Sequence, residues 1–362
     1  MSTLIFLAVL SILIIVHEWG HFYAARCLGV EVERFSIGFG PKLFSWHSKG
    51  TEFMVSAIPL GGYVKMAGDE RNQCKGKKNE FFSHRPLHRA LIVAMGPIIN
   101  FVFAYVCFYM LCVAGLPVLG TVIGKTMEGF PAEAAGLRAG DQVLSINGTL
   151  IKSWEELQDI VSGSQSQQLV FEITRENKQQ SVTVAARQET LKNIFGQEER
   201  RLIVGIEPGE EISFLRYGPI EALAKAADKL WEVISMTLSA LFHVVTGAMP
   251  AKDALAGPIR IFDVIADAAA MGLSYLVLVM AIISASLALF NLFPIPVLDG
   301  GHLFLIGMEV LRGKPLPLKI EERFNQVGFT LLMCLMVFVV YNDVAAMGWI
   351  DQVKSFFKGL NS

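Results

Sequence analysis

Basic residues hold no excess in this sequence: 31 Lys and Arg face 33 Asp and Glu, a formal net charge of −2. No basic stripe is available to neutralise phosphates, so nucleic acid is excluded as a partner. Cysteine is scarce as well, with five residues (Cys27, Cys74, Cys107, Cys112 and Cys334) and no CxxC pair. That leaves neither a disulfide framework nor a cysteine zinc site, and the last three lie in apolar stretches where a thiol packs as a small hydrophobe. Charged residues make up only 18% against 53% hydrophobic, with mean hydropathy +0.47. The chain is too apolar for an ordinary soluble enzyme and too charged to be membrane throughout, so membrane spans joined by polar domains are expected.

A helix that crosses hydrocarbon needs about 20 mostly apolar residues, because its backbone must be satisfied within the segment. Four stretches qualify: about Leu4 to Ala25, about Ala90 to Leu116 with an internal GPIIN, Leu273 to Phe293, and about Val327 to Tyr341. The first has no positive n-region and runs directly into HEWGH, so it is read as a retained span. Four spans place both chain ends on one side. Between the first two spans, residues 26–89 carry more Lys and Arg than acids, which makes this loop cytoplasmic by the positive-inside rule and sends the next segment outside. Within it, ERFSIGFGPKLFSW and TEFMVSAIPLGGYVKMAG alternate residue types around glycines and read as β-structure. Two readings of that β-loop stand open, a solvated hairpin and a sheet edge that holds an extended peptide by backbone pairing.

Residues 117–207 are richer in acids and contain strand-like LVFEITR and QSVTVAAR, as expected of a folded soluble domain. Its string GFPAEAAGLRAGDQVLSINGTLIKSWEELQDIV resembles a PDZ domain, with the LRAGD turn, the ING turn and a helix opened by Ser153 with Glu156 as a capping box. PDZ domains bind extended peptide ends, which implies recognition rather than chemistry. Residues 208–272 include IEALAKAADKLWEVISMTLSALFHVVTGA, an amphipathic helix suited to the bilayer surface, with a fifth span as the alternative. His243 there reads as a packing residue rather than a ligand.

His17, Glu18 and His21 interrupt the first apolar run as HExxH. On a helix the two imidazoles fall one turn apart on one face, which suits two ligands of a tetrahedral zinc, with the glutamate placed to take a proton from water. HExxH also arises by chance, and the three could simply cap the helix. Ionisable groups inside a span are costly, however, and usually face a polar cavity. A third ligand is required. NLFPIPVLDGGH at 291–302 supplies a candidate: Pro294 and Pro296 preclude a regular helix directly after the third apolar run, and Asp299 offers a carboxylate. His302 is an alternative ligand.

HEWGH and NLFPIPVLDGG together resemble the site-2 protease family of intramembrane zinc metalloproteases, most closely the bacterial regulator-of-sigma-E protease branch that cleaves anti-sigma factors. GFGP at 38–41, GGYVKM at 61–66, GPIIN at 96–100 and the PDZ-like segment extend the resemblance over nearly the whole chain. It implies His17, His21 and Asp299 as zinc ligands, Glu18 as general base, Asn291 as a substrate-backbone contact, and an edge strand within Phe53 to Lys65. It further implies one Zn2+ as cofactor, a single-pass transmembrane substrate resembling an anti-sigma factor, membrane lipid as surroundings, and a place in the bacterial inner membrane with the active site towards the cytoplasm.

The expected fold is thus a polytopic α-helical membrane protein of about four transmembrane helices, with a membrane-associated cytoplasmic β-loop and one extracytoplasmic PDZ domain. Its expected divisions are 1–116, 117–207, 208–272 and 273–362. The best-known proteobacterial members of that branch carry two tandem PDZ domains, and Leu119 to Tyr217 has room for one. The rivals are a non-catalytic membrane PDZ adaptor, which has no need of Glu18, and a metal transporter, which would show ionisable groups stepping across several spans.

Overall fold

The computed structural model describes residues 1–72, 74–192, 197–254 and 257–346. In chain order the elements are α1 (Ser2–Cys27), β1 (Val32–Ser48), β2 (Thr51–Met66), α2 (Pro86–Ala114), β3 (Leu116–Leu119), β4 (Ile123–Thr126), α3 (Pro131–Ala134), β5 (Gln142–Ile146), β6 (Thr149–Leu150), α4 (Trp154–Gly163), β7 (Gln168–Arg175) and β8 (Lys178–Ala185). There follow β9 (Arg187–Lys192), β10 (Glu198–Ile203), β11 (Ile206–Pro208), β12 (Ile212–Leu215), α5 (Pro219–Val245), α6 (Ala251–Ala254), α7 (Pro258–Met271), α8 (Leu273–Leu292), α9 (Asp299–Arg312) and α10 (Leu318–Ala346). They group into two units, Met1–Tyr109 with Ala226–Ser239 and Ala251–Ser362, and Met110–Lys225 with Ala240–Pro250.

In the first unit, four helices are long and apolar enough to cross a membrane: Ser2–Cys27, Pro86–Ala114, Leu273–Leu292 and Leu318–Ala345. Each contains one of the four expected spans or nearly all of it; α2 starts at Pro86 and stops before Leu116, which enters β3 instead. Close helix contact between α1 and α2 depends on glycine. A Cβ on Gly20 would collide with the Met95 carbonyl and Gly96 Cα. Asp343 looks misplaced in the apolar α10 until its carboxylate is seen to accept from the backbone N–H groups of Gly257, Ile259 and Arg260, at 3.2, 3.1 and 3.3 Å. It thereby satisfies orphan donors at the start of α7.

β1 and β2 are each folded back on themselves. Arg34, Phe35, Ser36 and Ile37 lie beside Lys65, Val64, Tyr63 and Gly62 on one side and beside Glu52, Phe53, Met54 and Val55 on the other. Phe44 to Ser48 then flank Val55 to Thr51 on the far side. The result is a four-segment sheet whose free edges are 61–66 and 42–48. Gly38 and Gly40, at φ 91 and 85, permit the reversal in β1. An aromatic cluster of Phe22, Phe35 and Phe53, with ring centroids 5.6–5.7 Å apart, anchors the sheet to α1.

In the second unit, β6-β5-β7-β8 form a sheet. Leu169, Phe171 and Ile173 of β7 are buried and alternate with outward residues, so one face builds a core with Val143, Ile146, Leu157 and Val184. Asn147 and Gly148 both have positive φ, 50 and 79, as a two-residue type I′ hairpin turn demands. Ser153 caps α4 by accepting from Glu156 N at 3.2 Å, while the Glu156 carboxylate receives Lys152 N at 2.8 Å, one residue ahead of the cap. Strand pairing continues past residue 207: β11 pairs with β4, and β12 pairs with β3 through Ile212–Leu119 to Leu215–Leu116. The last residues of the chain, 347–362, lie outside the described residues.

Candidate metal centre and active site

α1 projects His17 and His21 from successive turns of one face, with Glu18 between them. α2 lies against that face at the GPIIN stretch. A Cβ on Gly96 would fall on His21 Nε2 and Cε1 and within 2.9 Å of His17 Cε1, so glycine is what admits the two rings. One turn on, Asn100 is fully buried with its side-chain amide nitrogen 3.2 Å from His17 Nδ1. His21 Nδ1 donates to the Ile92 carbonyl at 2.9 Å. This bond fixes the ring and turns the lone pair of neutral His21 to Nε2.

The third member arrives from the proline-broken turn. After α8 ends at Leu292, the chain passes Pro294 and Pro296 and reverses at Val297, whose φ of 76 is a rare conformation for a β-branched residue. Gly300 and Gly301 then let α9 start against the carbonyls of Leu292, Phe293 and Ile295, with which side chains would collide. Asp299 stands at the first position of α9, and its Oδ2 comes 3.1 Å from His17 Nε2 and 3.5 Å from His21 Nε2. The two Nε2 atoms are 3.3 Å apart.

These three distances decide whether the residues fit a metal. Four ligands around zinc at about 2.0–2.1 Å are roughly 3.3 Å from one another, the edge of the tetrahedron. Asp299 Oδ2 is buried and has no aligned hydrogen-bond partner among the described residues despite its closeness to both rings. An oxygen and two ring nitrogens therefore converge on one point. His17, His21 and Asp299 are also the one such group among the described residues, with ligand atoms all within 4.8 Å. Two nitrogens and one oxygen suit zinc and leave a coordination position for water.

A cavity of about 690 Å³ opens on this cluster. Glu18, Tyr63, Val64, Asn291 and His302 line it. His302 belongs to the wall and stands outside the converging cluster. A Cβ on Gly62 would come within 3.4 Å of Glu18 Cγ, which puts the free 61–66 edge beside Glu18. The edge nearest the site is thus Gly61 to Met66, whereas Phe53 to Val55 lie inside the sheet between two partners. The far end of the cavity is polar. Glu309 receives Arg89 at 2.6 Å and Arg71 at 2.7 Å, and Arg71 also meets Glu321 at 3.1 Å. Burial alone would raise the Glu309 carboxyl, but the Arg89 hydrogen bond and the charges of both arginines hold it below the ordinary glutamate range.

Comparison with known proteins agrees with this chemistry. The model for peptidase family M50 matches residues 5–335. The chain belongs to peptidase family M50. Among its relatives, the protein named "Putative zinc metalloprotease Atu1380" from Agrobacterium fabrum is 33% identical, with 94% of this chain and 95% of that protein aligned. Metalloprotease MmpA of Caulobacter vibrioides is 32% identical over 93% and 94%. Protease RseP of Yersinia pestis is 30% identical over 94% and 98%, in an alignment of 447 residues that exceeds the 362 of this chain. A solved PDZ domain of an SdrC-like protein from Listeria innocua is 23% identical and covers 25% of the chain at a TM-score of 0.21, too low to speak for the fold.

This M50 chain is accordingly a zinc metalloprotease of the site-2 type and a membrane protein, and the adaptor and transporter readings fall away. Motif reading gave no individual role to Gly20, Ile92, Gly96 or Asn100, which shape and orient the site. The signal available for three of them was GPIIN and HEWGH: small or polar residues within runs otherwise built from large apolar ones.

Proposed function

We propose that this M50 peptidase hydrolyses a peptide bond within, or near the cytoplasmic end of, a transmembrane helix of another membrane protein, with a single-pass protein resembling an anti-sigma factor as the substrate class. His17, His21 and Asp299 hold the zinc and Glu18 is the general base. Zinc, when bound, supplies Lewis acidity that brings a water's pKa to about 7 and polarises a carbonyl. The single observation that carries the reading is the convergence of the three ligand atoms beside Glu18, in one cavity walled by apolar helices and a free strand edge.

Each step follows from the chain's own groups. Glu18, beside the 61–66 edge, takes a proton from the attacking water and passes it to the leaving amine. A helical amide is shielded by its own hydrogen bonds, so the substrate has to unwind, and pairing with Gly61 to Met66 holds it extended. Asn291, in the cavity wall, contacts the substrate backbone. Leu43 and Phe44 are exposed at 70% and 62% on the far edge of the sheet, which suits insertion among lipid tails. The loop between α1 and α2 is cytoplasmic, and the second unit is a single PDZ-type module outside, which selects substrates by their exposed ends.

Full-length protein reconstituted in vesicles with a single-pass model substrate tests this, with the cut located by mass spectrometry. Cleavage inside the apolar segment, faster when a Gly-Pro pair is placed there, is expected. Cleavage confined to water-exposed loops, or slowed by the helix breaker, refutes it.

A further inference from the structure

We propose that Asn100 is a positioning residue for His17: its side-chain oxygen accepts from Nδ1–H and thereby presents the Nε2 lone pair to the metal. The inference rests on His17 being a ligand. His17 Nε2 is the ring atom that faces Asp299 Oδ2 and His21 Nε2, so the proton of the neutral ring belongs on Nδ1. Nδ1 is met by the Asn100 amide at 3.2 Å. With the amide nitrogen towards the ring, as placed, two donors would oppose each other, and the Asn100 oxygen is left buried without a partner among the described residues. The two orientations of a side-chain amide occupy the same space, and the hydrogen-bond network decides between them. Turning the amide by 180° pairs that oxygen with Nδ1–H.

The surroundings hold Asn100 where this bond requires. It is wholly buried, and its backbone carbonyl receives the Ser284 hydroxyl of α8 at 2.9 Å. Gly96, one turn earlier on the same face, brings α2 close enough to reach the ring. α2 thus orients both histidines, His21 through the Ile92 carbonyl and His17 through Asn100. Outer partners of this kind are worth about 10–100-fold in metal affinity.

Zinc affinity of the full-length protein in detergent, measured by competition with a chromogenic chelator, separates the possibilities. Asn100→Leu, which has no acceptor, is expected to bind zinc about 10–100-fold more weakly. Asn100→Asp, which keeps the oxygen and cannot donate, is expected at parental affinity or tighter, and this rescue is one that a mere packing role would not produce. Metal-free melting temperatures of both variants establish that they are folded. Parental affinity in Asn100→Leu, or equal losses in Asp and Leu, overturns the proposal. Parental affinity in His17→Ala would overturn the ligand assignment beneath it, a distinguishable result.

Discussion

Gly96→Ala adds one methyl group at the point where α2 meets both imidazoles. The new carbon would overlap His21 Nε2 and Cε1 and lie 2.9 Å from His17 Cε1, while carbon atoms in contact prefer about 3.5–4.0 Å. Either the rings retreat by roughly 1 Å or α2 backs away from α1, and Gly20 already sits against Met95 and Gly96. Overpacking of this sort costs about 1–3 kcal/mol of stability. A displacement near 1 Å at a reacting centre costs roughly 100-fold in rate. The assay compares zinc content, melting temperature and cleavage of a transmembrane substrate with those of Gly307→Ala, a helical glycine in α9 whose added methyl meets nothing within 4 Å. That control should be neutral or more stable by about 0.5–1 kcal/mol. Parental zinc binding and cleavage in Gly96→Ala would refute the claim that glycine makes room for the ligands.

Arg175→Met removes the two-point partner of Asp141, which is 1% exposed and receives Arg175 Nε and an NH2 nitrogen at 2.7 Å each; the loss should be roughly 3–5 kcal/mol in the second unit, read as earlier melting. Burial alone would raise the Asp141 carboxyl, but Arg175 and the Arg138 N–H hold it below the ordinary aspartate value. The stability this contributes is complete above about pH 4 and disappears as pH falls through the lowered value. Limited proteolysis of the full chain across pH should show Asp141→Asn less acid-sensitive, and a parental profile would count against the pair. Glu309→Ala leaves Arg89, 3% exposed, without its carboxylate and should destabilise the first unit by about 3–5 kcal/mol; an unchanged melting temperature contradicts this.

The legible part of the site was the part that violates its surroundings. His17, Glu18 and His21 stand out because ionisable groups are expensive in an apolar run, and Asp299 because two prolines break the helix that precedes it. The hairpin turn at Asn147–Gly148 was readable for a similar reason, since few residues accept positive φ. Pairings across long stretches of chain were not readable. Nothing in periodicity says that Gly20 meets Gly96, that Asn100 meets His17, or that Gly62 lies against Glu18. The reversal inside β1 was hidden because Gly38 and Gly40 look like ordinary interruptions of a strand. For the second unit, the expected boundary at 207 falls inside a paired strand, because β11 and β12 are short and their partners β4 and β3 lie 80–99 residues earlier.

The central claim is that Glu18 moves the proton while His17, His21 and Asp299 hold the metal. Zinc stoichiometry and cleavage of a single-pass substrate, measured on the same preparations of parent, Glu18→Gln and Asp299→Ala, test it most directly. The account predicts that Glu18→Gln keeps its zinc and loses cleavage by about 100-fold or more, and that Asp299→Ala loses zinc. Undiminished cleavage by Glu18→Gln, or full zinc occupancy in Asp299→Ala, would contradict it.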